Sequence, residues 1–461
     1  MRPTKRPSVM LALYKFIRAN FEVIIIITCV LLEQLSTMLA VTVLPLYIID
    51  MENHISVTNA TITSDLQTDI SSVTLTPQLS AQELCGLIIA TKGLVQTITS
   101  LCVTASLIGW LGYYIVLIGG VLIMSVSCEL FAIGSSVPAL IVARAMQGLA
   151  SSMINASALS ILADKNRDNK RRDTVMGMAM CAMCFGYAAG PAVASWLYTY
   201  GDKPLPYHAS AVALLLLTVL LCSQARHTVA CTENQRQAKV QVPEQSDCAT
   251  MSQMLWDPYI SLCVTNIVIS CLPVTCLEAV LTFYIEEQVP DSTDATVGVV
   301  WLPCSVSMLL ATYISTCVMR HYAHAHVTLV QTALFIISLA CITLALHQPS
   351  LIGLSACLCA LMFAEVQAET AVVPWIGDLI DERFDADFKS KSYGCGYALW
   401  DTAYSFVDTV GPFFGAIAVQ RLGFGTFMLF TAVLTSAMIP VNSRFRYTGE
   451  YTRVIVHDII V

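Results

Sequence analysis

Long apolar runs alternate with short polar gaps along almost the whole chain. Crossing a bilayer as a helix takes about 20 consecutive, mostly apolar residues. Runs of that length predict twelve helices, at roughly 21–48, 83–108, 112–133, 137–162, 172–199, 206–224, 258–285, 295–319, 324–345, 350–380, 392–419 and 423–441. The second and third runs nearly touch near Gly112. The first run continues past Pro45 and exceeds the core of a signal peptide, so it reads as a first spanning helix. A polar segment rich in Gln and Thr divides the twelve into six and six. The expected organisation is a tail at 1–20, a first half at 21–224, a linker at 225–257, a second half at 258–441 and a tail at 442–461.

Charge orients these helices. Only 12% of the residues are charged, about half the share of a soluble domain, so the charge that remains is positional information. Of the 24 Lys and Arg residues, all but Lys92, Arg144, Lys203 and Arg421 fall in the even-numbered gaps and the two tails. Basic residues mark the cytosolic side, so both termini are expected in the cytosol. The first outer segment, 49–82, lacks Lys and Arg and carries Asn59-Ala60-Thr61, a glycosylation acceptor on the lumenal side. Asn155-Ala156-Ser157 has the same pattern but falls inside a predicted helix and is set aside. The cysteines, among them Cys29, Cys181, Cys184 and Cys357, sit in apolar runs, where the thiol behaves as a small hydrophobe. No phosphate-binding loop argues for an ATP-driven pump, and no filter or charge ring for a channel. Nothing points to nucleic acid or to enzymatic chemistry.

Ionisable residues at membrane depth stand out next. A carboxylate in the hydrocarbon core costs several kcal/mol by the lower estimates, and such groups face a cavity or a partner. Asp401 and Asp408 are seven residues apart, about two turns along one helix face. Glu33, Glu278, Lys92 and Arg144 also lie within apolar runs, and Glu365 and Glu369 share a face at i and i+4. The predicted fifth helix carries Gly177, Gly186 and Gly190-Pro191, small residues that admit a close neighbour and a proline that breaks helical regularity.

That glycine spacing resembles the antiporter motif of the major facilitator superfamily, with Ala194-Ser195 where a final glycine pair is usual. Six plus six helices around a polar centre matches the same plan. Further stretches resemble the vesicular amine transporters of that superfamily: Leu32-Glu33-Gln34 followed by Pro45, Ala90-Thr91-Lys92-Gly93-Leu94-Val95-Gln96, Arg144-Ala145-Met146-Gln147-Gly148, Trp256-Asp257-Pro258-Tyr259 with Leu277-Glu278, and Tyr397-Ala398-Leu399-Trp400-Asp401 with Gly411-Pro412. They run collinearly from about residue 20 to 440. Trp301-Leu302-Pro303, Tyr47-Ile48-Ile49-Asp50-Met51, Ile161-Leu162-Ala163-Asp164-Lys165 and Ala403-Tyr404-Ser405 resemble the acetylcholine branch more than the monoamine branch.

The resemblance implies roles. Glu33 would meet the cationic substrate, Asp401 would carry the coupled proton, and Glu278 would face the same cavity. Trp301, Tyr284 and Asp401 join the expected substrate contacts, and Asp408 joins Asp401 and Glu278 in proton coupling. Lys92, Arg144, Gly186, Gly190, Pro191, Glu365 and Glu369 are expected to gate or to support structure. The sequence departs from the family at Glu33, where Asp is usual, at Gly109-Trp110-Leu111-Gly112, where a charged loop is usual, and at Thr435, where a late acid would pair with Lys92. Glu365, Glu369 or Asp408 is expected to neutralise Lys92 instead. The implied activity is proton-coupled antiport of a cationic neurotransmitter, foremost acetylcholine, into synaptic or secretory vesicles. It would need no cofactor beyond the gradient of a vesicular proton pump, and the chain would act as a monomer in the bilayer. The alternatives are a monoamine transporter or a diverged organic-cation transporter. An indole face suits a quaternary ammonium, which has no N–H to donate.

Overall fold

The computed structural model describes residues 21–40, 43, 81–166, 168–201, 203–236, 251–288, 294–322, 325–346, 350–383 and 389–460. Among them it is all helical. The helices are α1 (Phe21–Ala40), α2 (Ala81–Thr99), α3 (Ala105–Leu111), α4 (Tyr113–Ile133), α5 (Val137–Lys165), α6 (Asn169–Gly201), α7 (Pro204–Arg236), α8 (Met251–Trp256), α9 (Pro258–Gln288), α10 (Asp294–His321), α11 (Ala325–Leu346), α12 (Leu351–Arg383), α13 (Lys389–Leu422) and α14 (Phe424–Ile460). Nine spans are long and apolar enough to cross a membrane among the described residues. The helices α6, α10 and α13 stand at the fifth, eighth and eleventh places between them. Asn59 and most of the loop around it lie outside the described residues.

The predicted boundaries hold to within a few residues at most ends, because each apolar run stops where charge or glycine begins. The narrow break near Gly112 is real. Its φ of +82° is a left-handed conformation that glycine adopts without strain, and its N–H closes α3 onto Ile108 O at 2.9 Å before α4 starts. Gly423, also at φ +82°, makes the equivalent turn between α13 and α14. Two helices outrun their apolar segments: α7 continues to Arg236 and α14 to Ile460. A hydropathy window does not register such extensions, since a polar helix and a polar loop look alike to it.

A further departure from the sequence expectation lies in the second span. α2 passes into α3 through a wider π-type turn at Ser100–Thr104. The extra residue per turn rotates the helix face, and such turns recur at functional positions.

Helices α2, α4, α5 and α7 pack together in the first six, and α9, α10, α11, α12, α13 and α14 in the second. The two sets meet where α2 and α5 face α13 and where α6 faces α10 and α12. Apolar side chains such as Val219, Phe335 and Val433 point outward, as the bilayer requires. The meeting surface is polar and close: a Cβ on Gly177 of α6 would lie 2.0 Å from Thr316 Oγ1 of α10, and one on Gly93 of α2 would lie 2.6 Å from Thr409 Oγ1 of α13.

Candidate functional site

The polar centre is built from α1, α2, α5 and α13. Glu33 on α1 is fully buried. Its Oε1 accepts from Ser151 on α5 and from Thr37 one turn along α1, the latter at 3.4 Å. Its Oε2 is buried and, among the described residues, accepts no hydrogen bond. A buried carboxylate oxygen without a donor is costly, so this atom suits a cation or water.

Asp401 on α13 is equally buried but differently served. Oδ1 accepts from Gln96 at 2.8 Å and Asn155 at 3.2 Å, and Oδ2 from Ser100. Ser100 Oγ also stands 2.8 Å from Ser152 Oγ on α5, and Ser152 in turn meets Thr104. The π-type turn sets Ser100 and Thr104 on one face toward this network. Gln96 on α2, Ser100 in the π-type turn and Asn155 on α5 belong to the first six helices and Asp401 to the last six, so the acid lies at their junction.

Lys92 is buried on α2, and its ammonium is near enough to act on Asp401. Among the described residues no ion pair joins Lys92 to Glu365, Glu369 or Asp408, contrary to the compensation expected from the sequence. The reason is placement: Glu369 faces Cys271 of α9, whose Sγ lies 3.8 Å from its Oε1, and Glu365 is buried one turn before it. Asp408 is half-buried two turns beyond Asp401.

Arg144 is buried and donates to Gln147 Oε1 at 2.8 Å. Gly186 and Gly190 sit against α1: a Cβ would approach Leu31 O at 2.8 Å and Met38 Cβ at 2.4 Å. They bring α6 and α1 together, as the small-residue spacing implies. Pro191 lies within α6, and Glu278, Tyr284 and Trp301 within α9 and α10; these four side chains lie outside the described residues.

A second constellation stands at the end of the bundle where α5 stops, α6 and α13 begin and α12 stops. Arg172 of α6 is completely buried. It donates to Asp378 Oδ1 of α12 at 2.8 Å and to Asp381, and Tyr393 OH of α13 donates to the other oxygen of Asp381 at 2.6 Å. A Cβ on Gly377 would meet Arg172 Cδ at 3.1 Å, so the glycine lets the guanidinium lie flat on α12. At the same end Lys165 pairs with Glu22, and Arg383 with Asp257.

None of the residues around Arg172 carries a recognisable sequence signal. Arg172 reads as one more basic residue beside a loop, and Asp378 and Asp381 as ordinary acids near a helix end. Asn155 was set aside as a glycosylation acceptor; the structure makes it a donor to Asp401.

The sequence profile of the Major Facilitator Superfamily matches residues 26–400. The chain belongs to that superfamily. Among relatives of this superfamily member, the vesicular acetylcholine transporter unc-17 of Caenorhabditis elegans is 25% identical over 435 residues, 93% of this chain and 79% of the relative. The vesicular acetylcholine transporter of Drosophila melanogaster is 26% identical over 79% of this chain and 61% of its own length. The human synaptic vesicular amine transporter is 28% identical over 77% of this chain and 65% of its own length. The fold is that of the human organic anion transporter MFSD10, with a TM-score of 0.69 at 14% identity, covering 91% of this chain and 98% of that one. A multi-pass transporter of the vesicular transporter type, rather than an enzyme, is what these likenesses support.

Proposed function

We propose that the protein loads a cationic neurotransmitter, foremost acetylcholine, into vesicles in exchange for protons. The observation that carries this reading is the contrast between two buried acids: Glu33 Oε2 has no donor, whereas both oxygens of Asp401 have one. The first suits a cargo cation. The second, at the junction of the two helix sets, suits a proton whose arrival loosens bonds between them. The similarity to acetylcholine and amine transporters supports cargo of that class.

In the proposed cycle the basic end of the bundle faces the cytosol, both termini lie there, and the segment bearing Asn59 lies in the lumen. Cargo enters from the cytosol, meets Glu33 with Glu278, Trp301 and Tyr284, and leaves to the lumen as protons from a vesicular pump take its place. The Arg172 latch closes the cytosolic end during lumenal release. Alternating access then requires the latch to open as cargo enters from the cytosol and to close before release.

Trp301 decides between cargoes. A desolvated cation–π contact is worth about 2 kcal/mol, roughly thirtyfold in affinity. Trp301→Ala is expected to weaken choline-ester uptake into acidified vesicles by about that factor, and Trp301→Phe by less. A monoamine would bind through charge-assisted hydrogen bonds to Glu33 and depend little on the indole. Displacement of labelled acetylcholine by serotonin or dopamine at far lower concentration than by acetylcholine, with Trp301→Ala unchanged, would assign the cargo to the monoamines.

A further inference from the structure

Beside the Arg172 latch lies a group that the transport reading does not use. Asp173 of α6, His326 of α11 and Asp378 of α12 turn one ligand atom each toward a common point, all within 4.8 Å of one another. His326 Nε2 is 3.3 Å from Asp378 Oδ2 and 3.8 Å from Asp173 Oδ1. Asp173 and His326 are buried, with Asp173 only 4% exposed, and Asp378 is half-buried.

Three features separate this cluster from an ordinary ion pair. First, His326 Nδ1 lies 3.1 Å from Ala371 O, so Nδ1 carries a proton and Nε2 faces the two carboxylates. An imidazole held by its other nitrogen in this way is the usual posture of a metal ligand. Second, Asp173 Oδ1 is buried, accepts no hydrogen bond and points into the same space. A proton on Nε2 makes one good hydrogen bond, not two, and leaves one of the acids unserved. Third, the charge among the described side chains is negative. Arg172 contributes one positive charge against the carboxylates of Asp173, Asp378 and Asp381. Asp168, near Asp173, adds further negative charge. With a neutral imidazole the three ligands themselves carry a charge of minus two, which a divalent cation cancels and a single proton does not.

We propose that Asp173, His326 and Asp378 form a binding site for a divalent transition-metal ion, with Zn²⁺ the best match, that ties α6 to α11 and α12. One imidazole with two carboxylates is a borderline donor set suited to Zn²⁺ rather than to Ca²⁺ or Mg²⁺, which take all-oxygen shells. Bonds of about 2.0–2.2 Å place tetrahedral donors roughly 3.4 Å apart. The Nε2 distances already stand near that value, so small side-chain rotations complete the site, with water in the fourth position. Its donors come from both helix sets, as do those of the Arg172 latch, and Asp378 serves both through different oxygens. The ion therefore holds this end of the bundle closed and acts as a brake on opening, not as cargo.

The test uses the purified full chain, stripped with chelator and titrated with Zn²⁺ by equilibrium dialysis in excess Mg²⁺ and Ca²⁺. It needs no knowledge of the cargo, so its outcome is independent of the transport reading. One Zn²⁺ per chain is expected. His326→Ala and Asp173→Asn should each weaken binding at least tenfold, while His321→Ala, at an exposed histidine of α10, should leave it unchanged. Hydrogen exchange around 170–178 and 374–382 should slow on adding Zn²⁺ to the unmodified chain and not to His326→Ala. If His326→Ala is misfolded by its circular dichroism, His326→Cys, which keeps a zinc donor, should restore both folding and binding. The absence of a Zn²⁺ site, or a site of equal affinity in His326→Ala and Asp173→Asn, overturns the proposal.

Discussion

The polar centre and the basic end of this transporter use the same residue types to opposite effect. At the basic end, Arg172 is matched by Asp378, Asp381 and Tyr393 across α6, α12 and α13, through several short contacts. At the centre, among the described residues, Glu33 keeps one oxygen without a donor, and no ion pair joins Lys92 to Glu365, Glu369 or Asp408. Charges paired across helices hold a conformation; a carboxylate oxygen without a donor awaits a ligand. The difference follows from the cost of burying charge. A buried pair is strongly penalised when one partner is lost, which suits a latch. A buried acid short of one donor gains by taking up a cation, which suits cargo.

The contrast can be broken first at the latch. Arg172→Ala leaves Asp378 and Asp381 without their guanidinium, and removal of one partner from a buried pair costs about 3–5 kcal/mol. The melting temperature of the purified chain should fall by many degrees. Arg172→Lys should recover little, because an ammonium does not bridge two carboxylates on one helix as a planar fork does. An unchanged melting temperature for Arg172→Ala would show that the latch contributes nothing to closure.

A smaller effect is expected where the helix sets touch without charge. Gly177→Ala forces a methyl onto Thr316, an overpacking worth about 1–3 kcal/mol. Combining it with Thr316→Ala should return most of the loss in the same thermal measurement. If the double variant is no better than the single one, the close approach of α6 to α10 is not where the strain arises. The smallest effect belongs to Thr97→Val, which removes the 3.1 Å hydrogen bond from Thr97 to Ser405 between α2 and α13. A net loss of about 1 kcal/mol is expected from one such bond. A loss as large as that of Arg172→Ala would erase the distinction between the two regions.

The sequence carried the helices and the central acids because both are local signals. A run of apolar residues declares a span by itself, and an acid within it, such as Asp401, is conspicuous by itself. What surrounds Asp401 was not legible: Ser100, Asn155 and Ser152 are unremarkable in a helix, and only the π-type turn and the crossing of α2, α5 and α13 make them a shell. The latch was hidden for a different reason. Arg172 and Asp381 are charges near the water boundary, where charge is ordinary, and 209 positions separate them. The expectation that Lys92 would pair with Glu365, Glu369 or Asp408 failed because a helical face was known from spacing while the neighbour of that face was not. The cluster of Asp173, His326 and Asp378 draws on three helices and has no sequence motif at all.

The central claim is the division of labour between the two buried acids, and one paired measurement tests it: cargo binding and gradient-driven accumulation in the same reconstituted vesicles. Asp401→Asn should bind labelled acetylcholine and exchange it across the membrane, yet fail to accumulate it when the lumen is acid. Glu33→Gln should lose binding and accumulation together. Normal accumulation by correctly folded Asp401→Asn, or normal binding by Glu33→Gln, would contradict the account.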